Sequence, residues 1–267
     1  MTLRSIAIDW SGAKLLPERK IWLAEATARG ELLRLETGRD REQIADHLIE
    51  EARRGGGMVV GLDFAFSFPA WFMRERGYAS APVLWAALAA DGAADRWLDA
   101  CEPPLWGRGR RPKPVLAEHF RAAEKNAGAT AGISCKSVFQ IGGAGAVGTG
   151  SIRGMPVLHR LREAGFGVWP FTPGATAKAM AIEIYPRLLT GPVKKSDEAC
   201  RRAYMRGRFP ALDPAMRELA CSSEDAFDAA VSALVMARHA AELRTPRPAV
   251  DAQMLLEGDI WRPGAAA

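Results

Sequence analysis

Apolar positions in the first quarter of the chain fall into two alternating periods. Ser5 to Trp10, Lys20 to Thr27 and Glu31 to Thr37 are short runs rich in Ile, Leu, Ala and Trp, separated by Gly12, Pro17 and the Arg29-Gly30 pair. They predict three strands joined as an antiparallel meander. From Asp40 to Arg54 the apolar residues Ile44, Ala45, Leu48 and Ile49 recur at helical spacing, and Gly55 to Gly57 end the helix. Met58 to Phe64 is apolar at successive positions, the pattern of a strand covered on both faces. Helices are expected near 70–76 and 82–100. A Pro-, Arg- and Gly-rich stretch from Glu102 to Gly154 then reads as an insertion. Pro156 to Ala164 predicts a helix, and Gly167 to Phe171 and Ala179 to Tyr185 two further strands. Two or three helices close the chain, the longest from Ser223 to about Leu243.

Carboxylates interrupt these apolar runs at particular places. Asp9 ends the first strand, Asp63 the fourth, and Glu183 lies in Ala181-Ile-Glu-Ile-Tyr185. Asp225 and Asp228 open the last long helix, close enough in sequence to project from one side of it. Each costs several kcal/mol to desolvate without compensation. Within their own strands Asp9 shares a face with Ala7, Asp63 with Gly61 and Val59, and Glu183 with Ala181 and Tyr185. All three therefore stand beside small residues, which supports one shared acidic face with room for a hydrated ion. Hard oxygen donors of this kind suit Mg²⁺ or Mn²⁺. Asp9 is expected to bridge ions, with Asp63 and Asp228 at its sides and Glu183 or Asp225 farther out. First-turn electrostatics is the competing account of Asp225, and a salt bridge to an arginine such as Arg187 that of Glu183.

The order β-β-β-α-β followed by α/β elements is that of the ribonuclease H-like fold, a mixed sheet flanked by helices with its first three strands antiparallel. Ile6-Ala-Ile-Asp9-Trp-Ser-Gly12, Gly61-Leu-Asp63-Phe-Ala-Phe-Ser-Phe-Pro69, Ile182-Glu183-Ile-Tyr-Pro186, Glu224-Asp225-Ala-Phe-Asp228-Ala and Glu257-Gly-Asp-Ile-Trp261 together resemble the DUF429 family. That resemblance implies a ribonuclease H-like nuclease. The wider superfamily, which includes junction resolvases, places carboxylates on the first and fourth strands and an Asp-x-x-Asp on a late helix, positions that Asp9, Asp63, Asp225 and Asp228 match. Glu183 matches only the family motif.

At 267 residues, 48% apolar and 25% charged, the chain is expected to form one domain over 1–267 with the insertion at about 100–154. No apolar run approaches the roughly 18 residues of a membrane span, and Met1 to Ser5 leads straight into a strand without a signal-peptide core. Cys101, Cys135, Cys200 and Cys221 are isolated, as reduced thiols would be, so a cytoplasmic setting is expected. The net charge of +5 is compatible with nucleic acid as partner. Arg108, Arg110, Arg111 and Lys113 form one basic loop, Arg201 to Arg208 a second cluster, and Lys14 and Lys136 are further phosphate ligands to expect.

Gly143-Ala-Gly145-Ala-Val-Gly148 spells a dinucleotide fingerprint, but Thr149 to Gly154 shows no helical pattern, so the stretch reads as a loop whose amides reach phosphate. Asp9-Trp-Ser-Gly-Ala-Lys14 is similar to the phosphate hairpin of actin- and sugar-kinase-like ATPases, which makes a nucleotide phosphotransferase the alternative. A non-catalytic nucleic-acid-binding module is a third possibility.

Overall fold

The computed structural model describes residues 3–131, 134–172 and 177–264. β1 (Arg4–Asp9), β2 (Trp22–Thr27) and β3 (Leu32–Thr37) form the antiparallel meander, and β4 (Met58–Leu62) lies parallel to β1. β5 (Gly167–Val168) and β6 (Ala179–Glu183) complete a six-stranded sheet of order β3-β2-β1-β4-β6-β5. This is a ribonuclease H-like topology with its first three strands antiparallel.

α1 (Arg41–Arg53) starts where Asp40 and Gln43 cap each other: the Asp40 side chain accepts from Gln43 N, and Asp40 N donates to the Gln43 side chain. α2 (Ala70–Glu75), α3 (Ala81–Ala89), α4 (Ala93–Ala100), α5 (Ala122–Ala131) and α6 (Val147–Glu163) come before β5. α7 (Pro186–Thr190), α8 (Glu198–Arg208), α9 (Pro214–Cys221), α10 (Glu224–Arg238), α11 (Ala240–Arg244) and α12 (Ala252–Glu257) follow β6. More helices thus close the chain than its periodicity predicts, because several have only one or two turns.

Two cores cover the sheet. Ile6, Ile8, Val60, Leu62 and Ala181 pack with residues of α1, α3 and α6 on one face. Ala7, Ala24, Val59, Ile182 and Ile184 pack beneath α10 on the other. The alanines of α10 let this helix approach β1 and β2 closely, and Phe227, Val231 and Leu234 are buried along it. Each such large side chain contributes about 1.5–3 kcal/mol of burial.

Several element boundaries differ from the sequence reading, among them the last long helix, which ends at Arg238, and β6, which ends at Glu183. The 82–100 helix is broken in two at Gly92, whose φ of 62° lies in the left-handed region. β5 stops at Val168 because the chain turns back on itself there: Val168 O accepts from Thr172 N at 2.9 Å, and Val168 N donates to Thr172 Oγ1 at 3.0 Å. The largest difference is α6, which begins at Val147 and runs through Thr149 to Gly154. Its glycines serve close packing. A Cβ on Gly148 would lie 2.0 Å from the Val138 carbonyl oxygen, and one on Gly154 would lie 2.6 Å from the Phe64 ring. The segment therefore contributes a helix N-terminus where a loop was expected.

The loop after β1 is held from both sides. Arg41 donates to the carbonyls of Ser11 and Ala13 at 2.8 Å each, and Arg153 of α6 donates to Gly12 O. A late segment of the chain ties down the opposite wall. Ser67 Oγ donates to Leu256 O, and Glu257 accepts from Ala70 N at 2.6 Å and Ala122 N at 2.7 Å. Trp261 N donates to Glu183 O at 2.9 Å.

Candidate acidic site

Register places the first two aspartates side by side. Ile8 pairs with Leu62, Asp63 N donates to Ile8 O at 3.1 Å, and Asp9 and Asp63 sit at the ends of adjacent parallel strands. Asp228 comes to them from α10, one turn inside a helix that Ser223 caps by accepting from Ala226 N. Asp225 lies in the first turn of the same helix and is half-buried.

These four charges act on one another. Burial raises the Asp9 carboxyl well above its ordinary range, and the charges of Asp63, Asp228 and Asp225 push it further. Asp63 is raised in the same way, by burial and then by Asp228. Burial also takes Asp228 up to about 6, against the pull of Lys195. Asp225 is raised by burial and by Glu224. Asp9, Asp63, Asp225 and Asp228 thus lie near enough for their charges to act on one another.

Lys195 stands among them and escaped the sequence reading, because Pro192 to Asp197 has no periodicity that would mark it. Its ammonium pairs with Asp228 Oδ2. Its charge also pulls against the rise in pKa of Asp9, Asp63 and Asp225 without undoing it. Asp228 Oδ1 is buried without a hydrogen-bond partner. Among the described residues no hydrogen bond reaches the carboxylates of Asp9 or Asp63. Nor is any group of three His, Cys, Asp or Glu among them drawn round a single point as the side chains stand. By its chemistry, though not by the present spacing of the side chains, the donor set is of the kind a hard divalent cation takes: carboxylate oxygens from three elements, one of them buried and unsatisfied.

Glu183 does not share the face of Asp9 and Asp63. It pairs with Leu62 across β4 and β6, and its strand neighbour Ala181 belongs to the core of Ile8 and Leu62. The shared acidic face expected from strand parity therefore excludes it, since parity fixes faces within a strand but not between strands. Its partner is Arg121, which is completely buried, while Arg187 donates instead to Val193 O. Arg121 Nη1 donates to Glu183 Oε2 at 2.9 Å, Nη2 to Glu183 Oε1, and Nε to Glu124 Oε1 at 2.8 Å. Phe66 N also donates to Glu183 Oε2 at 2.9 Å. Burial takes Glu183 up to about 7 against the pull of Arg121. Burial opposes the charge on Arg121, but Glu124 and Glu183 outweigh it and raise its pKa well above the ordinary value.

Two hollows meet at Asp63 and Tyr185. One, of about 470 Å³, is lined by Lys195, Asp228, Arg187 and Ser134. The other, of about 300 Å³, reaches Trp10, Lys136, Glu183 and the start of α6 at Ala146 and Val147. Burial pushes the Tyr185 hydroxyl up to about 12, so it remains a donor at neutral pH.

The expected phosphate ligands divide into two groups. Lys14 and Arg108 both approach Asp99, at 3.9 and 2.7 Å. Arg110, Arg111 and Lys136 are exposed and form no ion pair among the described residues. The Lys136 stem packs over Gly145. The Arg201 to Arg208 cluster is a free basic surface only in part. Arg201 is buried and Arg202 pairs with Glu198 and Glu218, while Arg206 and Arg208 are exposed. The sequence shows Arg201 only as one charge of this cluster, and the structure shows it as a clamp: Nη1 donates to Lys195 O, while Nε and Nη2 donate to Cys221 O at 3.0 and 2.8 Å.

No protein-family model, curated protein or solved structure matches the chain. The class rests on the fold: an α/β protein of ribonuclease H-like topology, with four aspartates gathered at the ends of its central strands and the start of α10. No helix among the described residues is long and apolar enough to cross a membrane.

Proposed function

We propose that the protein hydrolyses phosphodiester bonds of nucleic acid with a divalent metal ion, Mg²⁺ or Mn²⁺. The observation that carries this reading is the meeting of Asp9, Asp63 and Asp228 from three elements, with Asp228 Oδ1 buried and unsatisfied. Asp9, Asp63 and Asp228 would hold the ion, and Asp225 would add negative charge at the rim. When bound, the ion would activate water and offset the charge that grows on the phosphoryl oxygens. Arg110, Arg111 and Lys136 would draw the strand in by its phosphates, and Tyr185 would offer a hydrogen bond between the two hollows. Glu183 has a structural part, bracing the loop after β4 through Phe66 N and Arg121. The resemblance to DUF429 motifs is in keeping with this reading.

A nucleotide phosphotransferase on the same core remains the second reading. It is favoured by the hollow of about 300 Å³ beside Asp63, a volume suited to a small ligand. Cleavage assays on DNA and RNA with Mg²⁺ or Mn²⁺ separate the two. A nuclease loses at least a hundredfold in rate on Asp9→Asn or Asp63→Asn with its fold intact. Its binding to nucleic acid also weakens with salt, each lost phosphate contact changing the log–log slope by roughly 0.7–0.9. Phosphate transfer from a nucleoside triphosphate, without cleavage of either polymer, would overturn the nuclease reading.

A further inference from the structure

The position of Lys195 bears on how many ions the carboxylates take, a question that rests on the metal-dependent reading above. We infer that Lys195 is a built-in cation of the acidic site, so that Asp9, Asp63 and Asp228 take one divalent ion and the lysine ammonium occupies the place of a second.

The lysine is placed by its surroundings as well as by its charge. Its side chain is 22% exposed and that of Asp228 10%, so the pair is largely shielded from solvent. Arg201 holds the Lys195 carbonyl with one nitrogen and the Cys221 carbonyl with two others. Cys221 ends α9, just before the Ser223 cap that launches α10 with Asp225 and Asp228. One buried guanidinium therefore fixes the backbone of the lysine to the junction from which its carboxylate partner comes. A surface lysine that happened to reach Asp228 would need no such clamp.

Ligand supply and charge agree with this arrangement. Asp228 Oδ2 is engaged by the ammonium, which leaves Oδ1 as its one free oxygen for a metal. Three carboxylates facing one ammonium and one divalent ion balance, and Asp225 at the rim leaves one negative charge over. A second divalent ion beside Lys195 would turn this shielded site net positive before any phosphate arrived, an unfavourable state at low dielectric. Lys195 is accordingly a positioning and charge-balancing residue, which holds Asp228 in place with or without substrate.

The test is Mn²⁺ titrated into the metal-free full chain, with stoichiometry from calorimetry and the electron paramagnetic resonance spectrum recorded at saturation. The wild type should bind one Mn²⁺ and show the resolved hyperfine pattern of an isolated ion. Lys195→Met should bind two with the broadened spectrum of a coupled pair, and Lys195→Arg should return to one. Two ions in the wild type would show that the lysine is displaced and would overturn the inference while leaving the metal-dependent reading intact. One ion in Lys195→Met would overturn it as well. If Lys195→Met does not fold, the wild-type stoichiometry decides alone. A single ion bound without cleavage of DNA or RNA would support the inference and count against the nuclease. No Mn²⁺ bound by either protein would remove both.

Discussion

Replacing Arg121 by methionine keeps much of the side-chain volume and removes the cation that holds Glu124 and Glu183 within the protein. Arg121 is completely buried, and both carboxylates are nearly so. Methionine would leave their charges without a partner, and the carbonyl of Glu257 would lose a donor as well. Breaking a buried pair on one side costs about 3–5 kcal/mol. For a chain of this size that is a fall in melting temperature of roughly 5–10 °C. The pH dependence gives a second check. Glu183 has a folded pKa of about 7, above its ordinary value of 4.5. Its contribution to stability is therefore complete below the unfolded value and is lost as pH rises through 7. Without Arg121 the folded pKa rises further, so the loss continues to higher pH. The gap between variant and parent should accordingly be wider at pH 9 than at pH 6, as read from urea unfolding at both. Adding Glu183→Gln to Arg121→Met should recover part of the loss. A gap under about 1 kcal/mol, or one equal at the two pH values, would show that the buried charges are not what holds this wall.

Two further variants probe neighbouring parts of the fold. Asp9→Asn should stabilise the metal-free protein at pH 8 by about 1 kcal/mol or more and leave it unchanged at pH 3.5. The Asp9 pKa is raised by burial and by Asp63 and Asp228, so its penalty builds as pH rises from 3.8 and is complete only above the folded value. Thermal unfolding at the two pH values checks this, and equal shifts at both would refute it. Gly154→Ala should destabilise by about 1–2 kcal/mol. A helix interior gains about 0.5–1 kcal/mol from alanine, but the new methyl would crowd the Phe64 ring, and overpacking costs about 1–3 kcal/mol. A stabilised Gly154→Ala would refute the close-packing account of α6.

The legible parts of the molecule are those where one period dominates. The meander, α1 and β4 stand out in the sequence because their apolar residues alternate or recur cleanly and Gly or Pro marks their ends. Asp9, Asp63 and Asp228 stand out because each is a charge at the edge of an apolar run. The face of Glu183 is not legible because β6 is apolar on both sides, so only its pairing with β4 settles the matter. The first turns of α6 are hidden because glycines that serve close packing have the composition of a loop. Lys195 and Arg121 do not stand out because their significance lies in what the fold brings to them. Lys195 meets Asp228 across 33 residues, and Arg121 meets Glu183 across 62. The Arg201 to Arg208 cluster misled for the related reason that a run of charges does not show which carboxylates and carbonyls will meet it.

The tie between Ser67 and Leu256 spans 189 residues. During synthesis at about 5–20 residues per second, the wall after β4 waits on the order of 10–40 s for Leu256 and Glu257 to be made. Through that interval Ala70 N and Ala122 N have no Glu257 carboxylate to bind, and Arg121 and Glu183 lack the backbone that seals them in. The nascent chain can build its meander early, but its acidic site is closed only once Asp228 and the segment of Leu256 and Glu257 have been made. Ribosome-bound intermediates that lack this segment would therefore carry the meander with the wall after β4 untied, and a chain cut before Ala252 would remain in that state.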